Sequence, residues 1–377
     1  MTKLFRKCNP GGNGRDGWEP PEWSLEQRKA GKEAADAWEE FFKDRDPDIV
    51  GDLEEMARIR RVRDLSDQEL LKQENVVGVA TSLKVMDGKP TGTWSLTVFV
   101  KEKKPFDVLE EELIVEGVEG VPTDVVEVGE IGTLADNAPK PPKLIERVRP
   151  VLPGYSIGNG KDGGRTGTLG CLVRDLRRPS DVSCEDPTCE HLILSNHHVL
   201  VHPHGAAKDD PIVQPGCHDR EDPPSDDKVA TLERWVPLAF NTAQYHLVDA
   251  AVARLNSEVR VTASIMGSLI PRGIDQAFFG DRVIKVGRST GMTSGRVIAV
   301  DGTVKVEFPG DQKALFRHQI VTTMMADYGD SGSLLMDRNF GAVGLLFAGS
   351  PSISVFNHIA DVETALGVRP VTAPRMN

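Results

Sequence analysis

Apolar positions follow a helical period in the first part of the chain and a period of two after it. Ser24 with Gln27 three residues on predicts a capping box. Leu25, Ala34, Trp38, Phe41 and Phe42 then share one face of a helix reaching about Lys43. A second helix is expected from about Asp48 to Arg63. A third is expected from Ser66, where Glu69 completes another capping box and Leu65 can staple onto Leu70. Residues 1–23, rich in Gly, Pro and Asn, read as a flexible arm, so 1–75 forms an arm followed by a helical segment. From Val76 the pattern changes. Val76–Met86 reads as a strand, Asp87-Gly88 as its turn, and Trp94, Leu96, Val98 and Val100 as the buried side of a returning strand. Asp107–Leu113 fits a short helix, and Val125, Val126 and Val128 a third strand.

Residues 76–138 therefore read as a small α+β accessory unit, and 139–150, containing Pro139-Lys140-Pro141-Pro142, as a linker. Beyond residue 150 short apolar strands alternate with Gly, Pro and Asp loops, with little helical periodicity before Ala360. Strands are expected at Thr168–Arg174, Leu192–Ser195, Asp249–Leu255, Arg282–Val286, Arg296–Val300, Val304–Phe308, Ser333–Met336 and Ala342–Phe347. This spacing predicts a mainly β barrel or sandwich.

Composition narrows the function classes. At 377 residues the chain exceeds one small core. The net charge of -12 argues against a nucleic-acid partner, which calls for basic patches. No run approaches the ~18 apolar residues needed to span a bilayer, so no membrane partner is expected. The basic start, Met1–Lys7, is followed by Asn9-Pro10-Gly11-Gly12 and not by an apolar segment, which reads against a secretory signal. Five cysteines, an odd number, fit a disulfide framework poorly. A reducing, cytoplasmic setting is the expectation.

Three segments of the β region carry chemistry. Leu194-Ser195-Asn196-His197-His198-Val199-Leu200 places histidines at the end of an apolar strand. His246-Leu247-Val248-Asp249-Ala250-Ala251-Val252 places an acid at the mouth of another. Tyr328-Gly329-Asp330-Ser331-Gly332-Ser333 is a glycine-bracketed loop before a third. A serine hydroxyl needs a neutral imidazole to take its proton. That imidazole needs a carboxylate to fix its tautomer, and a tetrahedral oxyanion needs preorganised N–H donors.

In the order His, Asp, Ser, these segments resemble the trypsin-like, chymotrypsin-fold serine peptidases. The histidine segment is similar to the bacterial members with an Asn-His-Val motif. Val286–Gly295 resembles a hairpin of their C-terminal barrel. The resemblance implies a chymotrypsin-like double β-barrel, over 151–260 and 261–377, behind the helical segment and the accessory unit. It implies a serine endopeptidase with His198 as base, Asp249 as orienter and Ser331 as nucleophile, and an oxyanion hole from the N–H groups of Gly329 and Ser331. Gly344–Gly349 resembles the strand on which substrate pairs, with Phe347 and Gly349 lining the site. Met325, six residues before the nucleophile, stands at the floor of the primary pocket. An uncharged, polarizable floor there favours cleavage after apolar residues. In digestive members a freshly cut N-terminus pairs with the acid before the nucleophile, here Asp330. Either Asp330 has another partner or the N-terminal part is removed.

The expected partner is a peptide or protein substrate. Residues 1–138 also suit a regulatory protein partner, and in a second reading the barrels are a scaffold with little proteolysis. Cys184, Cys189 and Cys217, with His191, His202, His204 and His218, raise the question of zinc. The four-residue gap lacks a clear second pair, so no metal and no cofactor is expected, while zinc on Cys184, Cys189 and Cys217, a Cys184–Cys189 disulfide and free thiols stay open as alternatives. Cys171 reads as core. The acidic loop from Asp209 to Asp227 lacks the ligand spacing of a calcium site and reads as surface.

Overall fold

The computed structural model describes residues 23–45, 53–104, 117–134, 144–161, 164–177, 191–219 and 227–373. Helix α1 spans Leu25–Phe42. Its capping box is made: Gln27 N–H donates to Ser24 Oγ at 3.1 Å, and Ser24 N–H to Gln27 Oε1 at 2.9 Å. Trp38 and Phe42 anchor its buried face on Phe279, with ring centroids 6.0 and 5.8 Å away. The two helices expected on either side of Ser66 are one, α2, Leu53–Lys72. No Gly or Pro separates Arg63 from Ser66 to stop propagation, and the Ser66 hydroxyl bonds back to the Val62 carbonyl at 2.8 Å instead of capping. Leu65, expected to staple, is exposed.

Strands Val76–Met86 and Lys89–Val100 form the expected hairpin. Asp87 and Gly88 both have positive φ, the requirement of a two-residue turn that follows the strand twist. Strand Val121–Glu127 runs parallel to the second of these. The short helix expected at Asp107–Leu113 lies outside the described residues.

Six strands close into a ring through their pairings. In order around it they are Arg282–Gly287, Gly291–Phe308, Gln312–Thr323, Ile353–His358, Gly341–Gly349 and Leu334–Asp337, which returns to the first. Gly291–Phe308 replaces two expected strands. Its register shifts between Val297 and Val304 bend the strand without ending it, so Asp301-Gly302 is not a turn. Strands Gln312–Thr323 and Ile353–His358 are poorly marked in the sequence, because buried polar residues interrupt their apolar pattern. Gln319 and Asn357 are fully buried, sit opposite each other on these two neighbouring strands and are bonded at 2.8 Å. The hairpin at Val76 extends this same sheet, with Gly78 opposite Val304.

A second sheet of eight strands includes Cys171–Asp175, His191–Ser195, Ala251–Leu255 and Lys228–Trp235. Cys171, Leu194, Val252, Val286, Leu334 and Leu345 form a shared core between ring and sheet. The chain is thus mainly β, with a helical segment ahead of two curled sheets. Among the described residues no helix is long and apolar enough to cross a membrane.

Candidate active site

Strand His191–Ser195 ends at Asn196, where the one-turn helix His197–Leu200 begins. The neighbouring antiparallel strand pairs Ala251 with Ser195. Asp249, two residues ahead of that strand, therefore lies beside the helix. The Asn196 amide donates to the Asp249 carbonyl at 2.7 Å, and the Asp249 N–H donates to Asn357 Oδ1 at 3.0 Å. These two amides hold the carboxylate in place.

The carboxylate distinguishes the tandem histidines. His198 Nδ1 lies 2.6 Å from Asp249 Oδ2, and the His198 backbone N–H donates to Oδ1 at 3.2 Å. His198 Nε2 is buried and has no hydrogen-bond partner among the described residues. His197 Nδ1 is likewise buried, with no hydrogen-bond partner among the described residues. Burial lowers the His197 pKa from its ordinary value, against the pull of Asp249. For Asp249, burial alone would raise the carboxyl pKa. The charge and hydrogen bonds of His198 outweigh it and hold the pKa below its usual value.

Ser331 belongs to the ring, ahead of strand Leu334–Asp337. Gly329 and Gly332 on either side have φ of 93° and 96°, where a side chain is strained. A Cβ on Gly332 would also stand 2.2 Å from Ser195 Oγ and from the Thr168 carbonyl. The Ser331 carbonyl accepts from Thr168 N–H at 2.7 Å, tying the loop to the second sheet. A Cβ on Gly167 would meet Val199 at 2.6 Å and the Ser331 carbonyl at 2.8 Å. The residue after His198 and the residue proposed as nucleophile thus meet on one glycine, between the two sheets. The Ser331 hydroxyl donates to the Phe347 carbonyl at 3.3 Å.

Asp330 has its own cation. Lys285 Nζ sits 2.8 Å from Asp330 Oδ2, and both side chains are fully buried. Ser289 N–H, Thr290 N–H, the Thr290 hydroxyl and Asp327 N–H also donate to this carboxylate. Lys285, Ser289 and Thr290 all lie on the hairpin Arg282–Phe308. Asp330 therefore has another partner, the first of the two alternatives for that acid. Lys285 escaped notice in the sequence, although Val283, Lys285 and Gly287 share one side of a strand whose other members on that side are buried.

A chain segment lies in the cleft. Gly132 and Thr133 pair antiparallel with Gly349 and Ala348. Leu134 follows, and its carbonyl accepts from Gly329 N–H at 2.5 Å and Ser331 N–H at 3.4 Å. Its own N–H donates to the Ser331 hydroxyl at 3.1 Å. The Leu134 side chain is fully buried in a cluster with Met325, Ala326, Tyr328 and Leu346. A Cβ on Gly349 would stand 3.0 Å from Leu134 Cδ1, so glycine there leaves room for this side chain. No pattern in the sequence marks Leu134, since its part follows from a contact 197 residues away.

Among the described residues no cluster of His, Cys, Asp or Glu is arranged to hold a metal. Cys184 and Cys189 lie outside them. Cys217 is buried, with its thiol on the Asn159 carbonyl at 3.3 Å. Cys171 is a free core thiol whose pKa burial pushes up to about 12. Two acids of the Asp209–Asp227 loop are paired with arginines: Asp219 with Arg288, and Asp227 with Arg147 at 2.8 Å.

No family model matches the chain, and no curated protein does. Solved structures with a similar fold include the chymotrypsin of Cellulomonas bogoriensis, at 18% identity and a TM-score of 0.38, covering 59% of this chain and 99% of that one. Thermobifida fusca Protease A is 17% identical with a TM-score of 0.40, at the same coverage of 59% and 99%. The Nocardiopsis protease NAPase is 16% identical with a TM-score of 0.40, again covering 59% and 99%.

Proposed function

We propose that this chain is a serine endopeptidase with His198, Asp249 and Ser331 as its triad. The observation that carries the reading is the convergence of the Gly329 and Ser331 N–H groups on one peptide carbonyl beside the Ser331 hydroxyl. Donors in that arrangement stabilise the charge that develops on a carbonyl oxygen under attack. His198 takes the Ser331 proton at Nε2, the nitrogen left free by the Nδ1–Asp249 bond, and returns it to the departing amine. Asp249, held ionised, fixes the tautomer and stabilises the imidazolium. No metal or organic cofactor takes part in these steps. The odd cysteine count and the buried free thiol of Cys171 suit a reducing, cytoplasmic compartment.

The test is labelling by a fluorophosphonate probe. Labelling is expected in the wild type and lost in Ser331→Ala and in His198→Ala. A folded wild-type chain that never labels would favour the scaffold reading.

The pocket supports apolar specificity: Met325 and Ala326 are buried with the Leu134 side chain and offer no charge to a Lys or Arg. Fluorogenic peptides with Leu or Met before the scissile bond are expected to be cut at least tenfold faster than Arg peptides, because burying an unpaired cation is costly. Faster hydrolysis of the Arg peptide would refute the assignment of Met325 as pocket floor.

A further inference from the structure

The segment Ile131–Leu134 fills the cleft in the manner of a substrate. Its backbone pairs with the strand Gly341–Gly349, its last carbonyl lies on two converging N–H donors, and its last side chain fills the apolar pocket. From this arrangement, and resting on the peptidase reading above, we infer that the chain is its own substrate: it cleaves the peptide bond on the carboxyl side of Leu134, and the N-terminal piece afterwards stays docked through its helices and hairpin while its new end leaves the cleft.

The step balances without any further reactant than water. Ser331 Oγ bonds to the Leu134 carbonyl carbon as its proton passes to His198 Nε2. The bond from that carbon to the nitrogen of the next residue, Ala135, then breaks, and the new amine takes the proton from His198. Water, deprotonated by His198, hydrolyses the ester, leaving the Leu134 carboxylate and a free Ser331 hydroxyl. Tethering makes the reaction intramolecular, so its rate does not depend on protein concentration.

Retention follows from how the N-terminal residues are built into the fold. Strand Val76–Met86 pairs with the ring strand Gly291–Phe308. Trp38, Phe42, Ile59, Leu83 and Phe99 share one core with Val304, Phe316 and Phe347. Burial on this scale does not depend on the peptide bond after Leu134. A second hold lies on the nucleophile loop itself: Arg28 pairs with Asp327, and the Trp23 ring lies 5.1 Å from that of Tyr328. Asp327 in turn donates its N–H to Asp330 at 3.1 Å. The N-terminal region thus grips the loop whose donors hold the Leu134 carbonyl.

Intact-mass measurement and N-terminal sequencing of the purified full chain test this. The wild type is expected to yield a fragment beginning at Ala135, at a rate unchanged by dilution, while Ser331→Ala stays intact. Leu134→Asp, which places a carboxylate in the apolar pocket, is expected to abolish the cut. Ala135→Pro keeps the buried leucine, makes the scissile amide tertiary and is expected to abolish it too, so a folding failure of Leu134→Asp leaves the inference testable. The two pieces are expected to co-elute in gel filtration until denaturant is added. A wild type that labels with fluorophosphonate but stays uncut after Leu134 overturns the inference and leaves the peptidase reading standing. A cut that slows in proportion to dilution overturns it as well, and separation of the pieces in native buffer overturns the docking. A chain that neither labels nor cuts overturns both readings.

Discussion

Asp249→Asn is expected to slow acylation of Ser331 by about 10⁴-fold while leaving the chain folded. Asp249 is fully buried and accepts from His198 twice, at the backbone N–H and at Nδ1. In the asparagine variant the backbone N–H of His198 claims the one amide oxygen. The amide NH₂ then faces Nδ1 and donates to it, so the ring proton moves to Nε2. An imidazole protonated at Nε2 cannot take the Ser331 proton. Both hydrogen bonds survive, the one to Nδ1 with its direction reversed, and the thermal midpoint is expected to move little. The measurement is the second-order rate of fluorophosphonate labelling, with circular dichroism as the check on folding. A rate within tenfold of wild type would remove Asp249 from the proposed mechanism.

Much of the site is legible in the sequence, because it depends on local patterns. The apolar run Leu192-Ile193-Leu194 ahead of Asn196-His197-His198 marks a strand end presenting a side chain, and the glycines around Ser331 mark a turn that other residues cannot adopt. Asp249 stands at the mouth of a strand for the same reason. What sequence alone leaves open depends on long-range contact. The residue types alone do not separate His198 from His197, which share the same helical turn; the resemblance selects His198, and His198 makes both bonds to the Asp249 carboxylate. The ring strands around Gln319 and Asn357 break the apolar alternation because their polar side chains satisfy each other inside. The single helix through Ser66 shows the converse, since a capping-box pattern does not stop a helix whose packing continues past it. Leu134 is the extreme case, an ordinary leucine until the chain brings it to Ser331.

Lys285→Met is expected to destabilise the chain by about 3–5 kcal/mol, read from urea unfolding, because it leaves Asp330 as a buried carboxylate without its cation. Methionine matches the lysine stem in length, so the loss reports charge more than volume. Asp330 keeps the donors from Ser289, Thr290 and Asp327, which puts the expected cost toward the lower end of that range. Adding Asp330→Asn to Lys285→Met removes the uncompensated charge and is expected to restore a large part of the stability. Activity is not expected to return with it. An amide has one acceptor oxygen where the carboxylate has two, and it cannot hold both the Ser289–Thr290 turn and the Asp327 N–H that together fix the loop from Gly329 to Ser331. A loss below 1 kcal/mol in the single variant, or recovered acylation in the double, would show that the ion pair does not organise the loop. The pairing has a further consequence for timing. Because Lys285 supplies the cation from inside the ring, the Gly329 and Ser331 donors are in place with no new N-terminus required, and they already hold the Leu134 carbonyl. Self-cleavage then depends on Lys285, and the Lys285→Met chain is expected to stay uncut under conditions in which the wild type is processed.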